Sequence, residues 1–200
     1  MSSPSNPTAP LKLVTPVFRG SYVYLTKPRI NKNKPDEPGK FQMVIVLPKN
    51  KPETKEFIKK LEKLFVTTMT EKFGKAIPFT ACKHYPIKDG DLPNEDGEVN
   101  EAHAGCWTIS ASNKFKPQAL TLQGEEIIDA DELYSGAWYR ASIGAYAWKH
   151  ESGGKGVSVD LKNVLKVKDD TRFGGGGNAK DDFAEFIGED APATDDNDII

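Results

Sequence analysis

The chain has 200 residues, 38% of them hydrophobic, enough for one core with extensions or two very small ones, and its longest apolar run, Met43 to Leu47, is too short to span a bilayer as a helix. Two cysteines, Cys82 and Cys106, make no disulfide framework, which points to a reducing, cytoplasmic setting. The net charge of -2 hides an asymmetry: residues 181–200 hold eight acids and no Lys or Arg, leaving 27 basic against 21 acidic groups, or +6, on the rest.

A basic body joined to an acidic segment suits a polyanionic partner and a segment that imitates it. A solubilising tail on an ordinary domain is the plainer reading of the same charges.

Residues 1–10, with three prolines and three serines, read as a flexible lead-in without the basic and apolar regions of a signal peptide. From Leu11, "LKLVTPVFRGSYVYL" alternates in the manner of a half-buried strand. "INKNKPDEPGK" (30–40) is a basic loop, and "FQMVIVLP" (41–48) is a strand stopped by Pro48. A long helix follows. Asn50 is its expected cap, with Glu53 three residues on. Phe57, Ile58, Leu61, Leu64, Phe65, Met69 and Phe73 form one apolar stripe, and Gly74 ends the helix. A helix with a single apolar face must lie on something, so the stripe reads as core.

Residues 86–101 form an acidic loop. Strands resume at 105–112, 118–122, 137–149 and 156–167, and "GGGG" (174–177) then opens a linker to the acidic segment. Many strands, one helix, basic loops and no internal repeat predict a mainly β fold, a small barrel with insertions.

Enzyme signatures are missing. There is no G-x-x-x-x-G-K-[ST], H-E-x-x-H or G-x-S-x-G. Gly174, Gly176 and Ala179 satisfy G-x-G-x-x-A only formally, because no βαβ unit follows. The acidic loop fails as an EF-hand, since Leu92 and His103 would fall at ligand positions. Cys82, His84, His103 and Cys106 have irregular spacing for a zinc site, and no metal or other cofactor is expected. Asp89, Asp91, Glu95 and Asp96 are clustered acids that could serve a two-metal nuclease, but they sit in a Pro/Gly-rich loop with no rigid frame.

"AWYRASIGAYAWK" (137–149) is the most informative strand. One face carries Ala137, Tyr139, Ala141, Ile143, Ala145 and Ala147, as a tight interior requires. The other carries Trp138, Arg140, Ser142, Gly144, Tyr146 and Trp148. Spaced aromatics with an Arg suit unpaired bases, because every base has a face to stack on and the cation meets phosphates. Packing of Trp138 and Trp148 under the helix or a loop is the competing reading. Lys114, Phe115 and Lys116 repeat the recipe on a loop, and Arg19, Lys32 and Lys34, with Arg29 and Lys40, extend the basic surface.

"PIKDGD" (86–91), "GCWTISASNKFKP" (105–117), "YSGAWYRASIGAYAW" (134–148) and "KGVSVDLKNVLKV" (155–167), then a Gly-rich break and an acidic segment, resemble in order the bacteriophage single-stranded DNA-binding proteins. That resemblance implies an OB-fold-like five-stranded barrel over 11–173, a 174–200 linker and disordered acidic tail, and a non-catalytic coat for single strands in replication and recombination in the host cytoplasm. It places Trp107, within the second stretch, among the DNA-binding residues. It also implies a tail that competes with DNA and recruits replication or recombination proteins. Here Asp195, Asp196 and Asp198 precede Ile199 and Ile200, where related tails finish with an aromatic. Acids suit a basic rim and isoleucines an apolar pocket. Self-association, a metal-dependent nuclease and a phage structural or assembly protein stay open as alternatives.

Overall fold

A computed structural model describes residues 12–174, apart from 33, 34, 76, 94–96 and 152. Its strands are β1 (Leu13–Val14), β2 (Phe18–Arg29), β3 (Lys40–Pro48), β4 (Ile87–Asp89), β5 (Cys106–Asn113), β6 (Gln118–Leu120), β7 (Trp138–Lys149) and β8 (Lys155–Lys168); α1 (Pro52–Phe73) lies between β3 and β5. Five of the strands close a ring. β2 pairs antiparallel with β3, β3 with β5, β7 with β8 and β2 with β7, while β5 pairs parallel with β8. This is the expected OB-fold-like barrel, and closure leaves the five strands no free edge inside it.

Alternation explains the interior. Met43, Ile45 and Leu47 of β3, Ile109 and Ala111 of β5, and Tyr139, Ala141 and Ile143 of β7 all point inward and are buried. β8 begins in phase with Val157, Val159 and Leu161, then resumes at Val164. The one-residue slip lies at Lys162, where pairing shifts between Ser142↔Asn163 and Ile143↔Leu161. A bulge of this kind bends and twists a strand, as closing a small barrel requires.

α1 buries Phe57, Leu61, Leu64, Phe65 and Met69, packing chiefly on β7. Ile58 and Phe73 complete the stripe at its margins. Gly74 ends the helix in the left-handed conformation (φ 74°), its N–H on the Thr70 carbonyl. The start differs from expectation: Lys51 takes the cap position in extended conformation and gives no side-chain cap. Pro52, at the first helical position, needs no hydrogen-bond partner for its nitrogen and presets φ, so the helix begins there without Asn50. The acidic loop also holds an unforeseen strand. β4 is three residues long and pairs with β5 through Ile87↔Ile109, so Ile87 joins the core.

A latch joins the segment after β8 to the barrel. Tyr134 Oη donates to Asp169 Oδ1 at 2.7 Å, Trp138 Nε1 donates to Asp170 Oδ2 at 2.6 Å, and Phe173 N donates to the Ser135 carbonyl at 2.9 Å. Gly136 (φ 110°) permits the close crossing, because a side chain there would strike the Thr171–Phe173 backbone.

Candidate nucleic-acid interface

On the outer face of β2, β3 and β5 three shallow depressions run into one another. The first is lined by Tyr146, Phe115, Lys114, Lys40 and Lys162. It shares Ser112 with the second, which includes Arg29 and Gln42. The second shares Tyr22, Val44 and Ser110 with the third, which reaches Lys88, Asn100, His103 and Thr108. The result is a track across the sheet, with small polar residues on its floor, cations along its first two depressions and, beside Lys88, the acids Asp89 and Glu98 in the third.

The aromatics on this surface are exposed. Phe115 is 68% accessible, Tyr22 46%, Tyr146 40% and Tyr24 38%, unusual values for side chains of this size. Lys114 Nζ stands 4.9 Å from the Phe115 ring centre, and the Arg29 guanidinium stands 5.7 Å from that of Tyr24. Each pair offers a stacking face beside a positive charge.

Two local devices set these rings. Asn113, the last residue of β5, donates to Asp160 Oδ1 (2.7 Å) and to the Leu161 carbonyl (2.9 Å), while its Oδ1 accepts from Phe115 N (3.0 Å). One amide thus clamps β5 to β8 and turns the chain so that Phe115 projects. Asp160 is also ion-paired with Lys162, so it is not a bare negative charge in the track. Tyr22 is held differently. It lies where β2 gains a residue on β3, between Ser21↔Val44 and Tyr24↔Gln42, and is the only non-glycine with positive φ among the described residues (48°). An aromatic residue rarely accepts that backbone, and such strain gathers at functional positions. His103 Nε2 lies 3.0 Å from Ser21 Oγ beside it, and burial pushes the imidazole's pKa down, favouring the neutral ring.

The expected site residues fall into separate places. Tyr146, Lys114 and Phe115 come together on the track. Lys116 and Lys32 are exposed nearby in sequence but line none of the three depressions. Trp107 shares the inward side of β5 with Ile109 and Ala111, packed against the core under Lys49, opposite the outward Ser110 and Ser112. Trp148 lies flat over Gly156, where any side chain would strike its ring, and its Nε1 donates to Ser158 Oγ at 3.0 Å. Trp138 belongs to the latch, with Arg19 5.3 Å and Lys168 5.0 Å from its ring. Arg19 is committed there too, donating to the Thr171 carbonyl at 2.7 Å and facing Asp170 at 3.3 Å. Arg140 donates to the Thr15 carbonyl at 3.1 Å, beside α1. Of the expected platform of Trp138, Tyr146 and Trp148, the structure places Tyr146 on the track and the two tryptophans against other neighbours. Strand alternation holds, but a 12-residue strand in a closed barrel serves different neighbours along its length. At about 3.3 Å per residue, Trp138 and Tyr146 stand roughly 26 Å apart.

Lys34 and the tail residues Asp195, Asp196, Asp198, Ile199 and Ile200 lie outside the described residues, as do Glu95 and Asp96. The other two acids of the nuclease alternative are already engaged. Lys49 bridges Asp89 and Asp91, and Asp91 Oδ1 accepts from Gly105 N at 2.6 Å. The Lys49 hydrogen bond for Asp89, and the Gly105 amide followed by Lys49 for Asp91, hold both carboxyls below the usual range. Cys82, His84, His103 and Cys106 do not gather; no metal-binding cluster of three such residues occurs among the described residues.

Tyr22, Tyr24 and Asn113, which the structure places on or beside the track, were not singled out in the sequence. Tyr22 and Tyr24 alternate with Val23 in "SYVYL", a signal of one aromatic face that was available in the sequence. Asn113 gave no signal, because its role depends on β8, 47 residues away.

Comparison with known proteins bears on the whole chain. The profile of the family described as "Enterobacter phage Enc34, ssDNA-binding protein" matches residues 11–198. A structure of the single-stranded DNA-binding protein from bacteriophage Enc34 in complex with ssDNA is similar at TM-score 0.69 and 26% identity, over 82% of this chain and 89% of that one. The fold is shared by gp2.5, a single-stranded DNA-binding protein encoded by bacteriophage T7, at TM-score 0.54 and 17% identity, over 93% and 100% of the two chains. Putative protein p50 of Acyrthosiphon pisum secondary endosymbiont phage 1 is 34% identical over 92 residues, 46% of this chain; the match spans about half the length of that relative. With a family match across nearly its full length and a barrel of the same form, this chain belongs to the Enc34 ssDNA-binding protein family.

Proposed function

We propose that this protein binds single-stranded DNA along the track from Tyr146 and Phe115 to Tyr22, without cleaving it. The observation that carries the reading is the set of four exposed aromatics on one basic surface, Phe115, Tyr146, Tyr22 and Tyr24. Bases stack on the rings, and Lys40, Lys114 and Arg29 meet phosphates. Stacking needs unpaired bases, so a duplex, whose base faces are covered, is the poorer ligand. The ssDNA complex of the Enc34 relative supports the same ligand class. The biological role is that of a coat protecting single strands in phage replication and recombination. The acidic segment 181–200 competes with DNA for the cations, and Ile199 and Ile200 offer apolar area to replication partners.

Labelled single-stranded and duplex DNA of one sequence, each titrated with and without magnesium, tests this. Tight binding of the single strand, weaker binding of the duplex and intact DNA throughout are expected. Cleavage in magnesium, or equal affinity for both forms, contradicts it.

A further inference from the structure

At the far end of the β7–β8 ribbon from the latch lies a cleft of about 620 Å³, ligand-sized and separate from the DNA track. Lys75, Lys83 and Lys155 line it, and no carboxylate does. Ile77, Pro78, Ala81 and Cys82 supply its apolar part. Lys155 also covers the Phe73 ring at 5.1 Å, so no bare aromatic face is offered to a nucleobase, which stacks best on an open ring. Such a cleft fits an acidic surface from which aliphatic side chains project.

The barrel displays that surface at its other end, as a knob formed by residues 121–132. After β6 the chain turns and comes back along it, with Thr121 N donating to the Glu125 carbonyl and Ile127 N to the Ala119 carbonyl, both at 2.8 Å. Ile127 and Leu133 are buried and pin the knob to the core, while Ile128 between them is 81% accessible and Leu122, at the turn, 59%. Glu125, Glu126, Asp129, Asp131 and Glu132 are all exposed beside them, and residues 118–133 contain no Lys, Arg or His. None of these five carboxylates is ion-paired among the described residues. Arg172 meets the knob at the Asp131 carbonyl, 3.0 Å away.

β6 runs parallel to β8, Gln118–Leu120 against Asn163–Leu165, so the turn after β6 points away from Lys155 at the start of β8. At the usual rise per residue, about 26–33 Å of β8 separates β6 from the cleft. Knob and cleft therefore do not meet within one molecule. Complementary surfaces at opposite ends of a rigid barrel fit a second copy, head to tail, and repetition of that heterologous contact builds a chain or a ring. We propose that copies of this protein associate in this way. Leu122 and Ile128 of one copy face Ile77 and Pro78 of the next, and the knob's acids meet Lys75, Lys83 and Lys155. The contact uses neither the aromatic track nor DNA, so it stands apart from the DNA-binding reading.

Sedimentation equilibrium of the full chain without DNA, at low salt and over a rising concentration series, tests this. Wild type is compared with Glu125→Lys/Glu126→Lys, Lys75→Glu/Lys83→Glu and Leu122→Ser/Ile128→Ser. Wild type is expected to gain mass with concentration, and each variant to associate several-fold more weakly. An equimolar mixture of the two charge-reversed proteins is expected to recover association, because a basic knob then meets an acidic cleft. That recovery also shows that both variants fold. A wild type that stays monomeric throughout overturns the proposal, as does a mixture no better than its parts. Association kept in both knob variants overturns it too; if the cleft variant alone loses it, the cleft takes another acidic segment.

Discussion

Tyr22 holds its ring edge-on to His103, 6.1 Å between centres, from a backbone with φ 48°. The Asn100 amide approaches its hydroxyl at 3.5 Å. A β-bulge aims an aromatic out of the sheet, and a short helical loop steadies it there. Glycine accepts this backbone without strain, whereas tyrosine carries about 1–3 kcal/mol of it. Tyr22→Gly should therefore leave stability in urea unchanged or raised while single-stranded DNA affinity falls by about 1–3 kcal/mol. A loss of both in parallel would make Tyr22 a structural residue only.

The neighbouring histidine gives a pH dependence. Burial lowers the folded-state pKa of His103, so the unfolded chain binds the proton more readily. Its contribution is present above the ordinary histidine range, near pH 6.5, and is lost as pH falls through that range towards the folded value. Wild type should lose more unfolding free energy than His103→Gln between pH 7.5 and 5.5, with a difference in slope of at most about 1.4 kcal/mol per pH unit. Identical slopes in the two proteins would place His103 in water.

Trp138 and Phe115 should separate cleanly. Trp138 is bound to Asp170 and flanked by Arg19 and Lys168, so Trp138→Ala should lower the melting temperature and leave DNA affinity nearly intact. Phe115 is exposed and touches little, so Phe115→Ala should do the reverse. Thermal unfolding beside a DNA titration reads both; a Trp138→Ala protein that folds normally but fails to bind would return the site to the tryptophans.

This contrast also shows how far the sequence could be read. Alternation in β7 and the helical stripe from Phe57 to Phe73 are local patterns, and both led correctly to buried faces. Which outward residue meets solvent is a tertiary matter. Trp138 and Tyr146 look alike in the strand, yet the segment 169–173 folds back on the first and leaves the second open. β4 was hidden because three residues between Pro86 and Gly90 carry no period of their own; pairing with β5 makes them a strand.

Charge in the track should appear as salt dependence. Replacing Lys40 and Lys114 by Ala should weaken binding to all sequences alike. The slope of log affinity against log salt should flatten by about 0.7 for each phosphate that is no longer neutralised. A double variant with the wild-type slope would place the DNA backbone elsewhere.

The most direct test of the central claim is an equilibrium titration of fluorescent oligo-dT with wild type and Phe115→Ala/Tyr146→Ala at one fixed salt concentration, folding being checked by circular dichroism. The two rings line one depression, and each stacked base is worth about 1–3 kcal/mol. The account predicts a folded double variant whose affinity falls by about 2–6 kcal/mol if the two effects add, roughly 30-fold or more. A folded double variant that binds oligo-dT as tightly as wild type would contradict it.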